Sequence, residues 1–253
     1  GAIHFSHHDG SALAFSDRGE GEPVLLIHGF GSSHIVNWVT PGWVKTLTEA
    51  GYRAIAFDNR GHGASSKSYE PEDYRAQKMA GDAAALLDHL GIPRAHVMGY
   101  SMGARIAAFM ALDYPSKVAT LILGGLGEGM VKGVGDWDPI ADALLAEDPS
   151  SITHPRGKMF RTFADQTRSD RQALAACIRT SRDLIGAEEV AGIYQPTLVA
   201  VGTTDDIAGS PSKLAELMPH GEAFAIEGRD HMLSVGDRTF KKRALAFLRE
   251  HPI

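Results

Sequence analysis

The chain has 253 residues, of which 43% are hydrophobic, 8% aromatic and 22% charged, a composition typical of a globular protein rather than of a disordered or fibrous one. Its net charge of −6 gives no electrostatic reason to expect a nucleic acid or an anionic membrane as partner. No apolar run approaches the roughly 20 residues that span a bilayer, so we expect no membrane segment. With one cysteine and no basic-then-apolar leader, the sequence favours a cytoplasmic protein.

Short runs of Val, Ile and Leu alternate along the chain with longer stretches of helical period. This pattern is typical of a largely parallel sheet with helices on both faces, so the sequence predicts an α/β fold with about eight strands. The predicted strands are residues 3–8, 12–17, 24–28, 52–58, 95–100, 118–124, 197–202 and 223–227, and the first two form a hairpin. The predicted helices between them are residues 43–50, 74–90, 102–114, 212–218 and 238–250.

One stretch of about seventy residues, between the strands that end near Gly124 and begin at Thr197, contains no convincing strand and is too long for an ordinary connection. It predicts a helical cap, residues 126–193, inserted into the sheet. The helices of this cap are expected at residues 139–147, 156–165 and 170–185. No second linker is visible, so we expect residues 1–253 to form a single domain that includes the cap.

A serine stands where a predicted strand meets a predicted helix. Residues 99–103 read GYSMG, a G-x-S-x-G pattern that follows one apolar run and precedes another. A serine on so tight a turn projects its hydroxyl from the sheet edge. The helix that begins there offers backbone N–H groups and the positive end of its dipole to developing negative charge. Ser101 is therefore a candidate nucleophile.

The sequence resembles the α/β-hydrolase fold family over essentially the whole chain, and in that family this motif is the nucleophile elbow. Residues 28–31 (HGFG) follow the first buried strand, where the family places its oxyanion loop, and residues 58–65 (DNRGHGAS) match its structural D-x-R-G-x-G-x-S element. The resemblance implies that the N–H groups of Phe30 and Met102 form an oxyanion hole. It implies no cofactor and no metal.

A serine hydroxyl needs a general base, and the base needs a carboxylate that fixes its tautomer. The family's order along the chain is serine, acid, histidine. The resemblance therefore implies His231, in the loop after the last strand, as the base. Its G-x-x-D pattern, matched by GTTD after the preceding strand, selects Asp205 as the acid, and we expect the neighbouring Asp206 to point away.

Other residues of reactive type are expected to be structural. Cys177 lies on the apolar stripe of a predicted helix and is expected to be packed and unreactive. The histidines of the first predicted strand match no zinc spacing, which argues against a metal site. His28 and His62 lie within motifs that need shaping, and we expect both to make structural hydrogen bonds.

These residues predict a serine hydrolase that cleaves a small, largely apolar carboxylic ester or lactone through an acyl-enzyme intermediate. Apolar side chains of the cap are expected in part to line the pocket and to favour small, uncharged acyl or aryl groups. The candidates are Trp137, Ile140, Leu144, Met159, Phe160 and Phe163, with Trp137 and Phe160 foremost.

Several alternatives stay open on the sequence alone. The scissile bond could belong to a thioester or be an activated carbon–carbon bond, and peroxide could replace water as in cofactor-free haloperoxidases of this fold. A non-catalytic ligand receptor on the same scaffold is a further reading. Because the nucleophile is a serine and not an aspartate, an epoxide hydrolase or dehalogenase is disfavoured. A small-molecule substrate is expected, but neither its identity nor the oligomeric state follows from the sequence.

Overall fold

The apolar runs of the sequence form one eight-stranded sheet in the computed structural model, which describes residues 3–253. The strands are β1 (His4–His8), β2 (Ser11–Arg18), β3 (Pro23–Ile27), β4 (Arg53–Phe57), β5 (Ala95–Tyr100), β6 (Val118–Gly124), β7 (Thr197–Gly202) and β8 (Gly221–Ile226). They lie in the order β1-β2-β4-β3-β5-β6-β7-β8. Strands β3 to β8 are parallel, and the hairpin of β1 and β2 pairs antiparallel with itself and with β4. The predicted fold class is confirmed.

Ten α-helices connect or flank these strands within residues 3–253, and none of them is long and apolar enough to cross a bilayer. They are α1 (Trp43–Glu49), α2 (Ala76–His89), α3 (Met102–Asp113), α4 (Gly129–Lys132), α5 (Asp138–Leu145), α6 (Pro155–Gln166), α7 (Arg171–Thr180), α8 (Ala187–Val190), α9 (Pro211–Leu217) and α10 (Arg238–Glu250). Short 3₁₀ segments lie at Pro71–Tyr74, Pro115–Lys117, Pro149–Ser151 and Leu233–Gly236, and a π-helical turn at Ile35–Val39.

The central strands of the sheet are buried on both faces, as their apolar residues at nearly every position predict. In β3, Leu25 and Ile27 face the layer that contains α2 and α3. Val24 and Leu26, the alternate residues, face α1 and α10 on the other side. Two hydrophobic cores therefore enclose the sheet, and they hold the carboxyl ends of its parallel strands at one edge.

Helices α4 to α8 lie between β6 and β7, in the segment 126–193 that we call the inserted segment. Helices α5, α6 and α7 enclose a small core of their own, which includes Ile140, Leu144 and Ile178. The ring of Phe160, on α6, packs against Phe30 from the loop after β3, with ring centroids 5.5 Å apart. The inserted segment thus rests directly on the edge of the sheet where the predicted site residues lie.

One predicted helix is wrong in length. The sequence predicts a helix over residues 170–185, but α7 ends at Thr180 and residues 181–186 form an irregular connection. Ile185 explains why α7 ends early. This residue is fully buried in the core on the side of the sheet that holds α2 and α3, and its N–H donates to the Met130 carbonyl at 3.2 Å. A continued helix could not bring Ile185 back to the sheet. The short helices α4 and α8 are not predicted by the sequence either.

A buried ion pair fixes the loop after β4 to helix α2. The Arg60 guanidinium donates from Nε and Nη2 to the two carboxylate oxygens of Asp82, at 2.7 and 2.8 Å. The two side chains are only 4% and 2% exposed. Breaking such a pair leaves one buried charge without compensation, which costs more than the intact pair contributes.

We therefore expect Asp82→Asn to lower the free energy of unfolding by about 3–5 kcal/mol, because Arg60 would stay buried and charged without a counterion. Urea denaturation at pH 7 measures this loss. Glu49→Gln is the matched control, since it breaks the exposed Lys45–Glu49 pair and should cost below about 1 kcal/mol. Equal losses in the two variants would contradict the assignment.

Candidate active site

Ser101 lies on a strained turn between β5 and α3. Its φ of 56° and ψ of −112° lie in a region that residues with a side chain rarely adopt. The flanking glycines make the turn possible: a Cβ on Gly99 would lie 2.1 Å from the Gly103 carbonyl oxygen, and one on Gly103 would lie 2.0 Å from that of Ile27. The strand, the turn and the helix therefore pass too close for any other residue at either position.

The structure brings Ser101, His231 and Asp205 together from three separate loops. Ser101 Oγ lies 3.1 Å from His231 Nε2, and His231 Nδ1 lies 2.7 Å from Asp205 Oδ2. The side chain of His231 is 13% exposed, and that of Asp205 is fully buried. Asp206, the neighbouring carboxylate, is exposed and takes no part in this chain of hydrogen bonds.

The surroundings of Asp205 keep it ionised. Burial raises the pKa of this carboxyl, but the hydrogen bond from His231 and those from two backbone N–H groups lower it by more, so the pKa lies below its ordinary value. These N–H groups belong to Ile207 and Ala208 and donate to Oδ1 at 2.8 and 3.0 Å. An ionised Asp205 accepts from Nδ1–H of His231, which leaves the lone pair of Nε2 facing the Ser101 hydroxyl.

Tyr100, the first variable residue of the G-x-S-x-G pattern, supports the loop that carries His231. Its hydroxyl donates to the His231 carbonyl, and its ring centroid lies 5.4 Å from that of the imidazole. No pattern in the sequence predicts this role for Tyr100. The residue next to Ser101 therefore also fixes the position of His231.

The loop after β3 is held so that one N–H group stays available. Gly29 N–H donates to Asn37 Oδ1 at 2.9 Å, and Gly31 N–H donates to His62 Nε2 at 3.0 Å. Between them, Phe30 N–H makes no hydrogen bond to any of residues 3–253, and neither does the Met102 N–H at the start of α3. Phe30 and Met102 line one small cavity together with Ser101.

The two histidines of the predicted loop motifs are structural and neutral. His28 Nε2 accepts the Asn59 N–H at 2.9 Å, as His62 Nε2 accepts that of Gly31, and each ring donates from Nδ1 to a backbone carbonyl. Burial lowers the pKa of His28 to about 4 and that of His62 to about 3. Both predicted structural roles agree with these hydrogen bonds.

A largely apolar cavity of about 230 Å³ opens beside Ser101 and His231. Four apolar residues of the inserted segment line it, namely Trp137, Met159, Phe160 and Phe163. The other two candidates, Ile140 and Leu144, do not; they pack inside the core of the inserted segment. Asn37, on the π-helical turn, also lines this cavity.

A cavity of about 40 Å³, which we call the small cavity, shares Phe30, Ser101, Trp137 and Ile207 with the apolar cavity of about 230 Å³, which we call the large cavity by comparison with it alone. Arg105 and Arg182 also line it, and sequence reasoning missed both. A signal existed for Arg105, which is a charged residue in a helix that is otherwise apolar through its first eleven residues. No signal existed for Arg182, because its position depends on where α7 ends.

Cys177 is buried on α7, with its thiol sulfur 3.8 Å from the thioether sulfur of Met102. Burial raises the pKa of this thiol to about 12. The thiol is therefore protonated and unreactive at neutral pH, as its position on an apolar stripe predicts.

Comparison with known proteins places this architecture in a family. A family model of the alpha/beta hydrolase fold matches residues 22–163. A protein of Mycobacterium tuberculosis described as the non-heme bromoperoxidase BpoC is 30% identical over 246 residues, which cover 87% of this chain and 90% of that protein. The crystal structure of a hydrolase from Pseudomonas aeruginosa PA01 has a TM-score of 0.81 and 27% identity, over 98% of both chains.

An esterase from Exiguobacterium antarcticum, EaEST, has a TM-score of 0.80 over 98% of this chain and 99% of its own, and at 21% identity it bears on the fold alone. Because the family model covers more than half of the chain, the protein belongs to the α/β-hydrolase fold family. This membership confirms the resemblance drawn from the motifs. It supports the prediction of a hydrolase at the level of the class.

The buried neutral histidines make stability depend on pH. In the unfolded chain their pKa is about 6.5, so between about pH 6.5 and 4 the unfolded state binds protons that the folded state excludes. Stability should therefore fall as pH is lowered through this window, by up to about 1.4 kcal/mol per pH unit for each histidine. Urea unfolding at pH 7.5, 6.5 and 5.5 measures the slope.

We expect His62→Gln to reduce the slope of the free energy of unfolding against pH, because the unfolded state then binds about one proton fewer in this window. The same replacement at the exposed His220 is the control. A native chain equally stable at pH 7.5 and 5.5 would show that His28 and His62 titrate normally in the folded state.

Proposed function

We propose that this protein is a serine hydrolase that cleaves a small, largely apolar carboxylic ester or lactone through an acyl-enzyme intermediate. The observation that carries the proposal is the continuous chain of hydrogen bonds from Ser101 through His231 to Asp205, at the wall of an apolar cavity. In this proposal Ser101 is the nucleophile, His231 the general base and Asp205 the group that orients it.

Acylation begins when Ser101 Oγ attacks the carbonyl carbon of the substrate. His231 Nε2 accepts the hydroxyl proton as the new carbon–oxygen bond forms, and Asp205 stabilises the resulting imidazolium. The tetrahedral intermediate then breaks its bond to the leaving alkoxide, which takes the proton from His231 and departs as the alcohol. In a lactone the alcohol stays attached to the acyl group.

The negative charge of the tetrahedral oxygen needs donors that are already in place. The N–H groups of Phe30 and Met102 suit this role, because neither is used within the described chain and both residues border Ser101. The bonds from Gly29 and Gly31 to side chains hold the Phe30 peptide rigid, so no reorganisation is required as charge develops. The N-terminus of α3 adds its dipole.

Deacylation repeats the same steps with water. Water attacks the acyl carbon and gives one proton to His231 Nε2, and collapse of the second tetrahedral intermediate returns that proton to Ser101 Oγ. The carboxylic acid product leaves and the enzyme is restored. Hydrogen peroxide in place of water would give a peracid from the same acyl-enzyme, an alternative supported by the similarity to BpoC.

We propose that the inserted segment, residues 126–193, acts as a cap that determines which substrates enter the site. We propose also that this cap and the sheet form a single domain. Its residues Trp137 and Phe160 line the large cavity, and their ring centroids lie 5.9 Å apart. A cavity of about 230 Å³ with such walls suits a short acyl or aryl group. A ligand receptor would not require the ordered donors and base around Ser101.

Replacing Ser101 by alanine should leave the fold intact and reduce kcat for p-nitrophenyl butyrate by about 10⁶-fold, because no other group can form the acyl-enzyme. A fluorophosphonate probe tests the nucleophile directly. Intact-mass analysis should show one adduct on the native chain and none on Ser101→Ala. An adduct on another serine, or no turnover of any ester by the native chain, would overturn the proposal.

The two adjacent carboxylates provide a matched pair of variants. Asp205→Asn should lower kcat by about 10⁴-fold, because an amide cannot hold His231 in the tautomer that accepts the serine proton. Asp206→Asn makes the same chemical change at an exposed position and should alter kcat little. Steady-state kinetics on one ester compares them, and a larger loss at Asp206 would refute the assignment of the acid.

A further inference from the structure

The small cavity behind Ser101 has walls of mixed character. Apolar side chains, among them Leu126, Val134 and Ile178, form most of it, and two guanidinium groups, of Arg105 and Arg182, complete it. Neither arginine has a carboxylate within 4.0 Å among residues 3–253. Two cations that make no direct ion pair thus share a cavity with the proposed nucleophile.

Arg105 is the more deeply buried of the two. It lies on α3 one helical turn after Ser101 and is 3% exposed. Its Nη1 donates to the carbonyls of Met130 and Asp183 at 3.0 and 2.8 Å, and Nη2 donates to a third carbonyl. These carbonyls satisfy hydrogen bonds but do not neutralise the charge. Burial lowers the pKa of Arg105 to about 10, so the group is still a cation at neutral pH.

Arg182 approaches the cavity from the connection after α7. Its guanidinium carbon lies 4.5 Å from the ring centroid of Trp137, and Nη2 donates to the Gly135 carbonyl at 3.1 Å. Burial, together with the nearby charge of Arg105, lowers the pKa of Arg182 to about 10 against the opposing effect of Asp136 and Asp138. The charge of Asp183, the other nearby carboxylate, is engaged by Arg75 at 2.8 Å.

Unused hydrogen-bonding groups gather at the same cavity. Arg182 Nε, Trp137 Nε1 and Ser181 Oγ are buried and have no nitrogen or oxygen partner in the described part of the chain, and Ser181 Oγ has only the Cys177 thiol as a hydrogen-bond neighbour. All three residues line the small cavity. Two of these groups can only donate a hydrogen bond, and the hydroxyl can donate one as well. Leaving a buried donor unused is costly, and leaving a buried cation without a counterion more so.

One kind of ligand fits the charge and the hydrogen-bond donors of the residues around this cavity. A carboxylate accepts several hydrogen bonds, pairs with a guanidinium in a planar fork, and carries the charge that the two arginines lack. It is also small, which suits a cavity of about 40 Å³. We infer that this cavity binds a carboxylate of the substrate, a conclusion that rests on the proposed function.

The substrate class that follows is an ester or lactone with two distinct parts. Its apolar part occupies the large cavity, its reacting carbonyl lies at Ser101, and a carboxylate a few atoms away enters the small cavity. Half-esters of dicarboxylic acids are the simplest compounds of this kind. The sequence predicts that the apolar cap favours an uncharged acyl or aryl group. That prediction suits the large cavity but not the small cavity.

Half-esters and their amides provide the test. Monomethyl succinate, glutarate and adipate are compared with the corresponding methyl esters in which a primary amide replaces the free carboxylate, which removes the negative charge with little change in size. For at least one chain length the native enzyme should have a kcat/KM about tenfold or more higher for the carboxylate, as expected of hydrogen bonds to a charged group. No preference at any of the three lengths would overturn the inference. This comparison requires no variant.

Arg182→Met should reduce the ratio of the two kcat/KM values by about tenfold or more. Arg156→Met is the matched control: Arg156 also lies over the Trp137 ring, at 5.6 Å, but does not line the small cavity. Its ratio should stay within about twofold of the native value. Equal ratios in the native enzyme and Arg182→Met would refute the role of Arg182.

A binding measurement separates this inference from the proposed function. In the Ser101→Ala variant, calorimetry should detect binding of the half-ester that the native enzyme prefers. If the native enzyme turns over no ester, glutarate monomethyl ester is used instead. Adding Arg182→Met to Ser101→Ala should weaken this binding by about tenfold or more. If esters are not cleaved but this difference in binding is found, the proposed reaction fails and the carboxylate site stands. If esters are cleaved through Ser101 and Arg182→Met changes neither ratio nor binding, the carboxylate site fails and the reaction stands.

Discussion

The close approach of the turn at Ser101 to strand β3 is the constraint on which the site depends. With a Cβ at Gly103 the helix could not lie against the Ile27 carbonyl, and Ser101 would not be held at positive φ. A strained residue of this kind costs about 1–3 kcal/mol and persists only where its surroundings determine it. Here the surroundings are the apolar central strands, which are buried on both faces.

The parallel sheet converts this local constraint into a site. Because β5, β7 and β8 run in the same direction, the loops that follow them all emerge at one edge. Ser101, Asp205 and His231 are far apart in sequence and within hydrogen-bonding reach in space for that reason alone. The three positions could be predicted because the resemblance to the family assigns each role to a motif that follows a strand, and these motifs can be located in the sequence without knowledge of side-chain packing.

What the sequence could not predict depends on packing between distant segments. The position of Arg182 follows from the burial of Ile185, which ends α7 early, and no local pattern reports that burial. Arg105 carried a signal, but an arginine on a buried helix has several explanations until its partners are known. Arg60 is equally buried and is paired with Asp82, whereas Arg105 has only carbonyl partners, and only the structure distinguishes the two.

The order of the strands has a consequence for the newly made chain. The turn that carries Ser101 packs against β3, and the Ser101 N–H donates to the Gly124 carbonyl at the end of β6, so its neighbours are complete by residue 124, whereas Asp205 and His231 come about eighty or more residues later. Domains fold as units with their N-terminal parts emerging first. During synthesis Ser101 therefore leaves the ribosome well before the two residues that complete its chain of hydrogen bonds, and a chain that stops before residue 231 lacks the histidine that Ser101 contacts. The arrangement of Ser101, His231 and Asp205 thus depends on synthesis of the last fifth of the chain.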